Sequence, residues 1–170
     1  MAQEHMPKET DQEDIQKGKF LTFCMGKELY GIEIRCVTEI VGVQPVTEIP
    51  EFPPYLRGII NLRGKIYPVM DMRLRFKRPV REYDDRTCII VVDIENAHIG
   101  LIVDSVSEVL TLPESEIVSP PETGRGNGSR YIQAVGKLGQ EVVLLLDCEK
   151  LLTEDEFEHL NTACMSEQEA

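Results

Sequence analysis

The stretch RGIINLRGKIYPVMDMRLRF, residues 57–76, decides the architecture. Residues 58–62 and 66–70 are apolar segments of strand length, separated by Arg63-Gly64-Lys65. Glycine adopts positive φ at no steric cost, so Gly64 predicts a tight hairpin with Arg63 held out at its tip. Pro68 cannot donate to a ladder, which predicts an edge or bulged strand. An exposed charge carried on a buried two-stranded scaffold makes Arg63 a candidate contact residue.

Upstream, FLTFCM (20–25) and ELYGIEI (28–34) read as two strands joined around Gly26-Lys27. Residues 35–40 predict a single helical turn. QPVTEIPEFPP (44–54) contains four prolines and must run as an extended or turning loop. Downstream of a charged connection (77–86), the chain repeats its own beginning. CIIVVDIENAHIGLIVDSVSEVLTL (88–112) gives two strands around a turn at Glu95-Asn96. At an offset of 69, Tyr30-Gly31-Ile32 matches Ile99-Gly100-Leu101, and Val37-Thr38-Glu39-Ile40 matches Val106-Ser107-Glu108-Val109. After a loop rich in Pro and Gly (119–129), a second Gly-turned hairpin follows at 131–147. There Gly139 takes the place of Gly64, and Asp147 stands 76 residues after Asp71.

A unit of about 60 residues with four or five short strands buries too little surface to stand alone. Two copies packed on one another share their apolar faces. Strands this short, turned by glycine, predict small barrels in a mainly β protein. Helix is expected mainly at the C-terminus, where Thr153 and Glu156 have capping-box spacing and Phe157 and Leu160 share a face.

Charge and composition restrict the function. The net charge of −12 is concentrated in two tails, with five acids and two bases in residues 1–17 and six acids without Lys or Arg in 153–170. Nine of the 18 basic residues lie between Arg57 and Arg86, against four acids. Without aromatic platforms or a basic balance, this stretch predicts a face of mixed charge and no nucleic-acid site. The five cysteines (Cys24, Cys36, Cys88, Cys148, Cys164) include no C-x-x-C pair, and their odd number argues for reduced thiols in an intracellular protein. No apolar run reaches the length of a membrane span, and no secretory signal core opens the chain, which predicts a cytoplasmic location without membrane insertion.

Catalytic chemistry is absent from the pattern. His5, His98 and His159 have no partner at metal-ligand spacing, and there is no nucleophile elbow, Walker loop or H-E-x-x-H. The glycine-rich segment 124–128 is not followed by a helix that could present a phosphate cradle. Asp71, Asp93, Asp104 and Asp147 lie near strand ends, where carboxylates cap turns. Neither an enzyme nor a bound metal or cofactor is expected.

NLRGKIYPVMDMR (61–73) resembles the hallmark N-L-R-G-x-x-x-P-x-x-D-L-R of the CheW-like domain family of bacterial chemotaxis coupling proteins. YGIEIRCVTEI (30–40), IPEFPPYLRGIIN (49–61) and GLIVDSVSEVL (100–110) are similar to its other segments, so the likeness runs from about 19 to 160. Met72 stands where the motif commonly has Leu, a volume-conserving change. The same domain occurs in the kinase CheA and in CheV; a chain without kinase or receiver domain fits the stand-alone adaptor. The resemblance implies two five-stranded SH3-like barrels, with a CheW-like domain at 18–160, repeat halves at about 20–76 and 88–152, and flexible acidic tails at 1–17 and 161–170.

It also implies a non-enzymatic adaptor, without cofactor or metal, that joins the regulatory domain of the histidine kinase CheA to the cytoplasmic tip of chemoreceptors in membrane-associated arrays. The family associates Glu39 and Arg63 with receptor coupling. Val37, Ile40, Val106 and Val109 are candidate walls of an apolar groove for the helical receptor tip, and each could equally be core. Gly58 and the hairpin at Gly136 and Gly139 are candidates for kinase contact. Another signalling kinase or receptor served by the same kind of module is the alternative.

Overall fold

The computed structural model describes residues 17–120, 129–153, 156 and 158. Among the described residues the elements are, in order, β1 (Lys19–Met25), β2 (Glu28–Glu33), β3 (Val37–Gly42), β4 (Leu56–Leu62), β5 (Lys65–Asp71), the short helix α1 (Met72–Arg75), β6 (Cys88–Ile94), β7 (Ala97–Val103), β8 (Ser105–Thr111), β9 (Ile117–Val118), β10 (Ile132–Leu138) and β11 (Glu141–Leu146). The expected hairpins are all present. Their turns carry positive φ at Gly26, Arg63-Gly64, Glu95-Asn96 and Gly139, the conformations that two-residue hairpin turns require.

The strands form two sheets, ordered β8-β1-β2-β11-β10-β9 and β3-β6-β7-β5-β4. β2 pairs with β11 and β5 with β7 in parallel; the other pairs are antiparallel. Thr47 bridges Ile59 beside β4, just as β9 lies beside β10, so the sheets match position for position. The halves of the repeat are therefore not the halves of the structure. The hairpin β1–β2 of the first half completes the sheet of the second, and β6–β7 completes the sheet of the first. One sheet uses the continuous segment 37–103, and the other is built from the segments on either side of it.

Burial follows the period of the strands. Along β6, Ile90 and Val92 enter a core shared by the two sheets, whereas Ile89 and Val91 enter a smaller core belonging to the second sheet alone. Both faces of the strand are buried, which is why 88–92 is continuously apolar in place of alternating. Phe23, Met25, Ile32, Met70, Leu101 and Leu146 meet in the shared core, and Phe20, Leu112, Val143 and Leu145 fill the first sheet's own. Each fully buried side chain of this size contributes about 1.5–3 kcal/mol.

Two local expectations are corrected. The helical turn expected over 35–40 is confined to a 3-10 turn at Ile34–Cys36, and β3 takes the rest. Four of the five residues from Val37 to Val41 are β-branched, which favours the pleated conformation. The strand of Pro68 is not an edge, because β5 lies between β4 and β7. Pro68 is tolerated because pairing with β7 begins only at Val69, and the bulge falls on β4, between Leu56 and Gly58.

At the C-terminal side, the Thr153 hydroxyl accepts from the Glu156 amide at 3.2 Å and the Glu156 carboxylate accepts from the Thr153 amide at 3.1 Å. That reciprocal pair is the expected capping box. Glu156 and Glu158 are helical, while Phe157 and Leu160, both tails and the glycine-rich segment 124–128 lie outside the described residues. Among the described residues, no helix is long and apolar enough to cross a membrane.

Candidate functional site

β3 and β4 are opposite ends of the second sheet, and one side-chain contact joins those ends. Arg63, at the tip of the β4–β5 hairpin, donates from Nη2 to Glu39 Oε2 of β3 at 2.5 Å. The turn that presents it has φ of +52° at Arg63 and +86° at Gly64, and Asn61 Oδ1 accepts from the Gly64 amide at 2.9 Å. A non-glycine residue in the left-handed region is uncommon, and here the turn geometry imposes it. The Glu39 side chain is largely covered, at 21% exposure, whereas Arg63 is 74% exposed. The hydrogen bond to Glu39 and then its charge hold the Arg63 guanidinium above its ordinary pKa. The result is a cationic knob anchored by a half-hidden carboxylate.

The apolar candidates divide between two sheets. Val37 and Ile40 are on β3, and Val106 and Val109 are on β8, an edge of the first sheet. Val37 and Val106 pack partly against the shared core, opposite Val92 and Phe23 respectively. Ile40 and Val109 are exposed at 43% and 50%, and Val43 adds a third exposed apolar side chain after β3. These four residues thus form two symmetry-related strips in place of one wall.

The three glycines differ in kind. Gly58 has φ of +143°, and a Cβ there would lie 2.0 Å from the Thr47 carbonyl oxygen. Its lack of a side chain lets the 44–54 segment pair with β4. Gly136 is buried, and a Cβ would meet Leu112 Cδ1 at 2.6 Å. Gly139 is an exposed turn residue with φ of +62° and nothing nearby. Of the three, Gly139 alone is exposed, and the other two shape their strands.

Sequence reasoning missed how the basic stretch is used. Arg63, Arg73, Arg75, Arg78 and Arg81 all pair with carboxylates, from Glu39, Asp104, Glu156, Glu28 and Asp84 respectively, and Arg81 also reaches Asp104. Such pairing leaves less free charge for phosphate than the sequence count suggests. Arg75 is the least expected: it is buried, lies over the rings of Tyr55 and Tyr131 at 4.2 and 5.2 Å, and donates to both Glu156 oxygens. Burial, reinforced by repulsion from Arg130, pulls its pKa below the usual arginine value.

Arg73 is equally committed. Its Nε donates to Asp104 Oδ1 at 2.7 Å, its Nη2 reaches Oδ2, and the Gly26 amide adds a hydrogen bond of 2.8 Å. Arg73 and the Gly26 amide hold the Asp104 carboxyl below the usual range against the opposing effect of burial. No signal in the sequence joins positions 31 residues apart in this way. Among the described residues, no group of three or more His, Cys, Asp or Glu side chains could hold a metal ion.

Comparison with known proteins covers most of the chain. The model of the CheW-like domain matches residues 19–156. The chain is 39% identical over 138 residues to the chemotaxis protein CheW of Klebsiella aerogenes, covering 81% of this chain and 83% of that one. It is 34% identical over 159 residues to CheW of Treponema pallidum, covering 91% and 92% respectively. The crystal structure of the scaffolding protein TtCheW from Thermoanaerobacter tengcongensis superimposes with a TM-score of 0.75 at 34% identity, covering 82% of this chain and 94% of that one.

Proposed function

The chain belongs to the CheW-like domain family, a family of non-catalytic chemotaxis scaffolds, and on that premise we propose that it couples chemoreceptor cytoplasmic tips to the histidine kinase CheA. The working part is an adaptor domain at about 18–160 flanked by acidic tails. It acts in the cytoplasm and is recruited to receptor arrays at the membrane.

The observation that carries the reading is the Glu39–Arg63 contact. A helical hairpin docking on β3 would meet Ile40 and Val43 as apolar contacts and Arg63 as a charged margin. An exposed ion pair contributes little to stability, because solvent screens it and both side chains lose freedom. Its use is geometric: Glu39 fixes where the Arg63 charge stands. Kinase contact is assigned to the β10–β11 hairpin at Gly139, with Gly58 and Gly136 setting the strand geometry behind such contacts. Val37, Val106 and Val109 support the same role from the core side of β3 and from β8.

Receptor-dependent kinase activity, measured with purified chain, CheA and a receptor fragment, tests the proposal. Glu39→Arg and Arg63→Glu should each lower activation about tenfold, a loss of ~1.4 kcal/mol in coupling, with melting temperature nearly unchanged. The double reversal should recover part of the loss. Full activation by both single variants would sink the assignment of the site. Failure of the wild-type chain to join receptor and kinase at all would sink the adaptor reading and leave a module for another kinase or receptor.

A further inference from the structure

The chain crosses between sheets at two equivalent places, and they are fastened differently. It leaves the second sheet for the first at Asp104, where Arg73 of α1 holds the crossover by a two-pronged ion pair. It leaves the first sheet for the second at Ile34–Cys36. The repeat places Arg35 and Cys36 where the other crossover has Asp104 and Ser105, and places Cys148 and Glu149 where α1 has Met72 and Arg73. At this crossover two cysteines meet: Cys36 packs against the core cluster that holds Cys148, and the two line the same cavity. Cys148 is buried in the shared core beneath the end of β11, and Cys36 is half-buried against that core. The cavity is open, has a volume of about 170 Å³ and is also lined by Glu33, Arg35, Asp147 and Glu149, room enough for a small polar molecule.

We infer that Cys36 and Cys148 are a dithiol modification site, oxidised by a hydroperoxide to a reversible disulfide that ties the first crossover to the end of β11. The reaction balances as two thiols and one hydrogen peroxide giving one disulfide and two waters. Cys36, after losing its proton, attacks one peroxide oxygen; the O–O bond breaks, the departing oxygen leaves as water, and Cys36 becomes a sulfenic acid. Cys148 then loses its proton and attacks the Cys36 sulfur, the S–S bond forms and the S–OH oxygen leaves as the second water. A small thiol reductant reverses the step by exchange.

Environment assigns these roles. The hydrogen bond from Cys148 holds the Cys36 thiol below its ordinary pKa, against burial and the Glu33 carboxylate, which oppose ionisation. The same contact, then burial and the Cys36 charge, push Cys148 well up. The half-buried Cys36 is thus the attacking thiolate and the buried Cys148 resolves it, the order that peroxide access also demands.

The remaining described thiols are placed elsewhere. Cys24 is on β1, and Cys88 begins β6 with its thiol directed to the Arg86 carbonyl. Oxidation closes a loop of roughly 110 residues. Constraint of the unfolded chain by a loop that long raises the melting temperature by on the order of 10 °C.

The test uses the reduced full chain and equimolar hydrogen peroxide, followed by intact mass, thiol titration and peptide mapping. The expected result is a monomer lighter by two hydrogens, with accessible thiols in denaturant falling from five to three. A Cys36–Cys148 cross-linked peptide should appear, with a melting temperature that rises and returns on adding dithiothreitol. In Cys148→Ala, a sulfenic-acid probe should label Cys36 and no disulfide should form. A disulfide mapped to Cys24, Cys88 or Cys164, a disulfide-linked dimer, or both thiols surviving peroxide in the folded wild-type chain would each overturn the inference.

Discussion

The turns at Arg63-Gly64 and Gly139-Gln140 close the corresponding hairpins of the two sheets, β4–β5 and β10–β11, and the repeat offset of 69 matches Glu39 on β3 with Glu108 on β8. In the second sheet the tip residue is an arginine that leaves the surface and ties the two ends of the sheet together. In the first sheet the corresponding turn residue is Gly139, and Leu138, the last residue of β10, packs against the core of Phe20, Leu112, Val143 and Leu145. One tip is a bare glycine turn, and the other holds a charge in water. Both positions are left-handed, with φ of +52° at Arg63 and +62° at Gly139, where glycine is the less costly choice, so the arginine answers a need outside the fold. Duplication supplies two equivalent surfaces, and substitution at a single position makes one of them distinctive.

The comparison breaks most completely if the copies are separated. Residues 18–80 and 87–160, produced apart, should each be unfolded or aggregated, because each lacks the hairpin that completes its sheet. Mixing them should restore a cooperative transition and dispersed amide spectra. Independent folding of either fragment would show that the exchanged hairpins are dispensable.

A smaller break is expected at the crossover. Asp104→Asn leaves Arg73 without its carboxylate at a site where both side chains are under 20% exposed. The expected cost is about 3 kcal/mol, or roughly 10 °C in melting temperature. The Asp104 carboxyl is depressed in the folded state, by Arg73 first, so its contribution is complete above the ordinary carboxylate pKa of about 3.9 and is lost as pH falls through the folded value. Wild type and variant should therefore converge in thermal melts below about pH 4. An unchanged gap at low pH would assign the stabilisation to packing.

The smallest effect sharpens the contrast. Gly139→Arg would place an arginine at the corresponding turn position of the first sheet. The left-handed φ of +62° at this open position should lower the melting temperature by only a few degrees. Receptor-dependent kinase activation should not rise. A gain in coupling would mean that charge at a hairpin tip suffices and that Ile40 and Val43 beside Glu39 are not needed.

Much of this was legible in the residues. Each hairpin announced itself through a turn residue between apolar runs, the duplication through its offset of 69, and the terminal capping box through Thr153 and Glu156. The exchange of hairpins was not legible, because matching strands in a repeat have matching patterns and periodicity cannot say which copy receives β1–β2. Long-range side-chain pairs were hidden for a related reason. Arg73 and Asp104, or Cys36 and Cys148, meet only once the sheets have formed, and nothing local marks either partner. Pro68 misled because a strand can be central for part of its length and edge-like for the rest. Of the candidate site, the Arg63 tip could be read from the turn alone, whereas Glu39 came from family likeness.

The interleaving of the two sheets also sets a timetable. Synthesis delivers β1–β2 first, yet their neighbours β8 and β11 end at Thr111 and Leu146. Segment 37–103 emerges in the meantime and holds every strand the second sheet needs. On the ribosome the later-starting sheet therefore closes first, and the opening hairpin waits with its β1 flank unpaired until β8 emerges and its β2 flank unpaired until β11 does, when nearly the whole chain has been made. During that interval the exposed flanks of β1 and β2 can recruit the same strands from a neighbouring chain on a crowded polysome.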